Sequence, residues 1–308
     1  MGSSCHKVVA YLFAGQGSQY VGMGKDLYEN FPESRLIFDR AQALLDFDLK
    51  QACFEGPEEG LKVTKISQPA IVTVSIAAFE TFKSRNKVIP AYMAGLSLGE
   101  YSALIASESI TFEDGIRLIK RRGELMDEAA RKYPGKMAAV LDLAADKVKE
   151  ICSASGAQIA NLNSPGQIVI SGKSEAIDKA MLLCTEAGAK RVMPLEVSGA
   201  FHSSLMTEAA ASLRETLAKT PIRPPIVPVV SNYTALPQGE AVQIRENLVQ
   251  QVRSSVRWED SMRFILSKGV NQCYEFGPGK VLKGLMRRIE PAAQVVNIEK
   301  AADILALQ

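Results

Sequence analysis

The segment Gly95-Leu96-Ser97-Leu98-Gly99 sets a serine midway between two glycines. This is the Gly-x-Ser-x-Gly spacing of a nucleophile elbow, in which a strand turns sharply into a helix with the serine at the apex. Backbone at such an apex is strained, and neighbours without side chains leave room for it. The hydroxyl then lies at a helix N-terminus, where orphan amides and the helix dipole favour developing negative charge. A bare pentapeptide also fits a plain strand-to-helix turn with a capping serine. The context favours the nucleophile: Tyr92-Met93-Ala94 reads as a short apolar strand before it, and a helix is expected from Gly99 to about Ala106.

A hydroxyl nucleophile needs a base, and histidine is the usual one. The chain has two histidines. His6 stands in an N-terminal tail expected to fray. His202 follows Ser198-Gly199-Ala200-Phe201 on a connection between a strand and a helix, where catalytic residues collect. A lone histidine is more often structural; its scarcity here and the elbow serine favour catalysis. Spacing does not choose the group that orients the imidazole: Asp260, Glu275 or a backbone or amide carbonyl all remain open.

Elements must carry these residues into one place. Val8-Val9-Ala10-Tyr11-Leu12-Phe13 is an apolar run suited to a strand buried on both faces of a parallel sheet. Helices are expected over about 22–30, 32–45, 67–83 and, capped by Thr111, 112–133. From about Gly135 the texture changes. A strand over 137–143, a helix over 144–155, strands over 158–163 and 167–172 joined at Ser164-Pro165-Gly166, a helix over 174–188 and a strand over 191–197 spell βαββαβ. The reading is an α/β protein: residues 1–134 and 198–308 form a large domain, and 135–197 a small ferredoxin-like subdomain inserted into it. Beyond His202, helices are expected over 205–219, 243–251 and 258–268, strands over 227–232 and 273–276, and a last helix ending near Ile289.

Composition narrows the function. The chain has 308 residues, 47% hydrophobic and 23% charged, with net charge +2, an ordinary globular balance without the clustered basic residues of a nucleic-acid binder. Five scattered cysteines with no Cys-x-x-Cys pair, and only two histidines, offer no zinc-ligand spacing and fit a reducing cytoplasm. No apolar run approaches the roughly 20 residues that span a bilayer. Gly277-Pro278-Gly279 lacks Walker spacing, and Gly15-Gln16-Gly17 does not complete a dinucleotide fingerprint.

Taken together, these stretches resemble the malonyl-CoA:acyl-carrier-protein transacylases of fatty-acid synthesis. The resemblance covers about residues 8–290, in order: Phe13 to Gln19 (FAGQGSQ), Ser67 to Ala70 (SQPA), Gly95 to Ala103 (GLSLGEYSA), Arg122-Gly123, Asn161 to Ser171 (NLNSPGQIVIS), Phe201-His202-Ser203 and Tyr274 to Leu282 (YEFGPGKVL). It implies an α/β-hydrolase-like parallel-sheet core. Ser97 would carry the acyl group and His202 would be its base. The amides of Gln16 and Leu98 would form the oxyanion hole, each donor worth about 3 kcal/mol. Gln251, in preference to Gln250, would hold the imidazole through its main-chain carbonyl. Arg122 would grip the malonyl carboxylate, a fork matched to two oxygens; Arg121 is the solvated neighbour. Phe201 resembles the malonyl-type pattern, its ring crowding the alpha carbon of a branched substrate. Leu96 departs from the histidine that many members carry after the first elbow glycine.

The activity so implied is ping-pong transfer of malonyl from malonyl-CoA to an acyl carrier protein, with no metal or cofactor. The cysteines suit a cytoplasmic protein, and with no exposed apolar helix stripe evident a monomer is expected. Lys190, Arg191, Lys283, Arg287 and Arg288 are candidates for steering an acidic carrier. Competing readings are an esterase or thioesterase of the α/β-hydrolase type, an acyltransferase of polyketide synthesis, and an inactive carrier-binding module.

Overall fold

The computed structural model describes residues 7–307; Cys5 and His6 lie outside them. The chain runs β1 (Val8–Phe13), α1 (Lys25–Asn30), α2 (Pro32–Gln42), α3 (Leu49–Phe54), α4 (Glu58–Lys62), α5 (Thr64–Arg85), β2 (Tyr92–Gly95), α6 (Leu98–Ala106) and α7 (Phe112–Lys132). Then come β3 (Lys136–Leu141), α8 (Ala145–Ser155), β4 (Gln158–Ser164), β5 (Gln167–Gly172), α9 (Ser174–Glu186) and β6 (Arg191–Pro194). The remainder is α10 (Thr207–Lys219), β7 (Val229–Val230), β8 (Pro237–Gln238), α11 (Ala241–Arg253), α12 (Trp258–Ser267), β9 (Val270–Phe276), α13 (Val281–Ile289), β10 (Gln294–Ile298) and α14 (Ala301–Leu305).

These strands build a six-stranded sheet, ordered β10-β9-β1-β2-β7-β8 and parallel except for β8, and a four-stranded antiparallel sheet, ordered β4-β5-β3-β6. Strand β1 sits centrally because both its faces are apolar: Val9, Tyr11 and Phe13 pack into one core cluster, Ala10 and Leu12 into another. The antiparallel sheet alternates in the same way. Ala138, Val140, Ile168 and Ile170 meet α8 and α9, while Met137 and Val169 join the main core from the other face. Strand β4 is also tied to the chain after α11, with Leu162 N–H donating to Val256 O at 2.9 Å and Val256 N–H to Ala160 O at 2.8 Å.

Several expectations need correction. Helix α5 starts at Thr64, one turn before the expected opening, and carries Pro69 inside it. The strand expected over 227–232 shrinks to β7, with Pro228 just before it. The strand over 191–197 ends at Pro194. Helix α13 is not the last element: β10 pairs with β9 at the sheet edge, and α14 follows. Short α3 and α4 lie in a stretch with too few turns to show a period.

The close packing of the elbow is set by glycine. A Cβ on Gly95 would lie 2.0 Å from the Gly99 carbonyl carbon, and one on Gly99 would lie 2.2 Å from Phe13 O. Both obstacles are backbone, which has no rotamer to yield. We therefore expect Gly99→Ala to lose about 3 kcal/mol of stability by urea unfolding; a midpoint equal to that of the unaltered protein would contradict this packing.

Candidate active site

Strand β2 and helix α6 meet at Ser97, whose φ of 51° and ψ of −97° are strained for a residue with a side chain. Asn232, just beyond β7, holds the turn from the side. Its Oδ1 accepts from Ser97 N–H at 2.5 Å, and its Nδ2 donates to Gly95 O at 2.9 Å. His202 also has positive φ, 56°, and is buried. Its Nε2 lies 2.8 Å from Ser97 Oγ, and its Nδ1 lies 2.7 Å from Gln251 O.

That carbonyl is free because it lies in the last turn of α11, where the carbonyls have no partner within the helix. Gln250 points elsewhere, its side chain donating to Glu246 at 2.7 Å. Neither carboxylate considered for the imidazole is there. Asp260 pairs with Arg257 at 2.9 Å, and Glu275 accepts from the Leu282 and Lys283 amides at the start of α13.

Arg122 is buried on α7 and its Nη2 donates to Ser97 Oγ at 3.1 Å and to Gln251 Oε1 at 3.2 Å. Its guanidinium carbon lies 5.2 Å from the centre of the Tyr101 ring, and Nε has no partner among the described residues. Arg121 is half-buried at the surface and pairs with Glu124 at 3.0 Å. The Gln251 carbonyl settles the tautomer. A carbonyl only accepts, so Nδ1 carries the ring proton and donates to it. In the neutral ring Nε2 is then an acceptor and takes the Ser97 O–H, while Ser97 Oγ accepts from Arg122, which only donates. Burial, with Arg122 second, drives the His202 pKa down from 6.5 to about 4, so the neutral base is the resting form.

The loop after β1 lies against the elbow. Leu96 N–H donates to Phe13 O at 3.3 Å, and a Cβ on Gly15 would lie 2.4 Å from Leu96 O. Gln16 follows on this loop, its side-chain carbonyl accepting from Gln68 Nε2 at 3.3 Å. Leu98 is the first residue of α6, and its N–H, like that of Gln16, finds no protein acceptor among the described residues. Phe201 is buried in the main core cluster. Of the basic candidates, Lys190 and Arg288 lie 3.8 and 3.4 Å from the Asp142 carboxylate, and all five are exposed.

Sequence reasoning missed Asn232 and the buried Glu100, which accepts from Asn232 N–H and Gln251 Nε2. Asn232 had a signal: it follows a parallel strand next to the one bearing the serine, on the sheet's carboxyl edge, where ligands collect. Among the described residues no helix is long and apolar enough to cross a membrane, and no cluster of His, Cys, Asp and Glu could hold a metal ion.

A hydroxyl bonded to a neutral imidazole, beside amides with nothing to bond, suits acyl transfer through a serine ester, and the chain is a member of the acyl transferase domain family, which matches residues 10–297. Within it, the chain belongs with the malonyl CoA-acyl carrier protein transacylases. It is 43% identical over 306 residues to that of Bacillus subtilis strain 168, covering 97% of this chain and 96% of the relative. It is 40% identical over 304 residues to that of Escherichia coli K12, covering 94% and 98%. The crystal structure of an acyl carrier protein S-malonyltransferase from Vibrio cholerae superposes with a TM-score of 0.94 at 38% identity, over 97% and 99% of the two chains. A malonyl-transacylase solved in complex with a type II polyketide acyl-carrier protein gives 0.95 at 38% identity, over 97% and 98%.

A depressed imidazole makes a pH prediction. With the neutral ring as the proposed base, labelling of the protein by a serine-directed fluorophosphonate should hold steady as pH falls through 6.5 and drop by half only near 4, where the ring gains its proton. An inflection near 6.5 in the labelling rate would contradict the buried, arginine-flanked imidazole.

Proposed function

We propose that this protein transfers malonyl from malonyl-CoA to the phosphopantetheine thiol of an acyl carrier protein through a malonyl ester on Ser97, supplying fatty-acid elongation. The observation that carries the reading is a single hydroxyl contacted by both His202 Nε2 and Arg122 Nη2. His202 takes the Ser97 proton as Oγ attacks the thioester carbonyl. The tetrahedral oxyanion is received by the Gln16 and Leu98 amides. It collapses with cleavage of the carbon–sulfur bond, and the imidazolium returns its proton to the departing coenzyme A thiolate. In the second half the carrier thiol gives its proton to His202 and attacks the ester. The proton then passes back to Ser97 as the malonyl thioester leaves. Gln251 O holds Nδ1–H throughout.

Arg122 would turn from the free hydroxyl to the malonyl carboxylate once the ester forms. Pairing there also cancels the positive charge that lowers the His202 pKa, so the base strengthens when the correct acyl group is in place. Phe201 would limit the space beside the alpha carbon. The four strands and two helices between Lys136 and Pro194 support a ferredoxin-like subdomain over 135–197, inserted into an α/β-hydrolase-like core formed by 1–134 and 198–308. The free, buried Cys53, Cys152, Cys184 and Cys273 support action in a reducing cytoplasm, and we take the monomer as the working form. Exposed Lys283, Arg287 and Arg288 on α13, with Lys190 and Arg191, would steer the carrier.

Intact-mass spectrometry after mixing with malonyl-CoA tests the reading. A malonyl adduct is expected on the unaltered protein and none on Ser97→Ala. Arg122→Ala should lose the preference for malonyl- over acetyl-CoA, by on the order of 100-fold if the buried ion pair contributes about 3 kcal/mol. Adduct on Ser97→Ala, or preserved selectivity in Arg122→Ala, would overturn the respective assignment.

A further inference from the structure

Glu100 lies in the first turn of α6, three residues past the serine, and is buried together with Asn232, Gln238 and Gln251. A carboxylate enclosed at this depth is costly unless its oxygens are hydrogen-bonded. Here both are. Oε2 accepts from Asn232 N–H at 3.0 Å and from Gln251 Nε2 at 2.7 Å, and Oε1 accepts from Gln238 Nε2 at 2.7 Å. The Gln251 amide can stand only one way round. Its Oε1 receives Arg122 Nη2, which can only donate, and its Nε2 faces Ser97 O, which can only accept, at 3.0 Å. Oε2 of Glu100 is thus met by donors alone, the environment of an ionised carboxylate.

Each of the two donors on Oε2 leads to the reacting pair. Asn232 fixes the serine turn through Ser97 N–H and Gly95 O. Gln251 fixes the imidazole through its main-chain carbonyl and meets Ser97 O with its side chain. The Gln251 amide also links Glu100 to Arg122, so a buried positive and a buried negative charge stand on either side of one amide.

We propose that Glu100 is the positioning carboxylate of this site: it takes the place of a triad acid without touching the imidazole, holding nucleophile and base in register through Asn232 and Gln251 and balancing the charge of Arg122. The proposal rests on the assignment of Ser97 and His202 above. It predicts that the carboxylate serves the chemical step in both half-reactions and leaves the binding of coenzyme A untouched.

The test is Glu100→Gln in the full-length protein, with kcat and KM for malonyl-CoA measured separately and the fluorophosphonate labelling rate of Ser97 measured alongside. A misregister of the pair by about 1 Å should lower kcat and the labelling rate on the order of 100-fold while KM stays within about threefold. Gln251→Met keeps the main-chain carbonyl but severs the side-chain link; it should reproduce most of the loss, and adding Glu100→Gln to it should cost much less than Glu100→Gln alone. A folded Glu100→Gln with kcat within about twofold of the unaltered protein, or additive losses in the double variant, would overturn the proposal. Should Glu100→Gln not fold, unimpaired kcat in Gln251→Met overturns it equally. Ser97→Ala separates the two readings: labelling that survives there removes the nucleophile assignment, and this proposal with it, whereas labelling abolished there beside a normal Glu100→Gln removes this proposal alone.

Discussion

The arrangement of this site depends on one imidazole held at both ends. His202 Nε2 meets the Ser97 hydroxyl and Nδ1–H meets the Gln251 carbonyl, at 2.8 and 2.7 Å. The arrangement draws on a simple property of helices, that their end groups lack internal partners. The C-terminal turn of α11 provides the carbonyl that orients the ring. The N-terminal turn of α6 provides an amide beside the hydroxyl. A neutral carbonyl in the orienting role leaves the ring without an adjacent counter-charge, consistent with an imidazole that stays unprotonated at neutral pH.

The site is assembled at a cost that the rest of the fold has to absorb. Ser97 and His202 both sit at positive φ. Arg122 and Glu100 are charges taken out of water, and burial pushes the arginine pKa down and the glutamate pKa up, against their mutual attraction and the hydrogen bonds on the carboxylate. Such groups stay in place because the surroundings are rigid. A parallel sheet packed on both faces fixes β2, glycines bring β1 and α6 within backbone contact, and the second sheet, tied to residue 256 after α11, braces the helix that bears Gln251.

Much of this was legible in the sequence. The elbow showed as a glycine-serine-glycine spacing between an apolar strand and a helix, because both steric needs are local. The βαββαβ order between Lys136 and Pro194 showed because each element changes its hydrophobic period at a turn. Position along a helix could have settled two further points. Arg122 falls in the buried stripe of α7 with Ile119 and Met126, and Gln251 falls in that of α11 with Leu248, whereas Arg121 and Gln250 lie off those stripes. What could not be read was which distant groups close on the site. Asn232 and Glu100 are 132 residues apart and bond through a backbone amide, which leaves no mark in residue type. The edge pair β10 and α14 was missed because the chain after Ile289 is short and weakly patterned.

The most direct test of the account is the time course of free thiol when the protein is mixed with malonyl-CoA and no carrier protein. A site that stores the acyl group on Ser97 and shields it from water should release coenzyme A in a rapid burst stoichiometric with protein, followed by near silence, and His202→Ala should show no burst. Continuous thiol release at the initial rate, as from a hydrolase, or a full burst from His202→Ala, would contradict it.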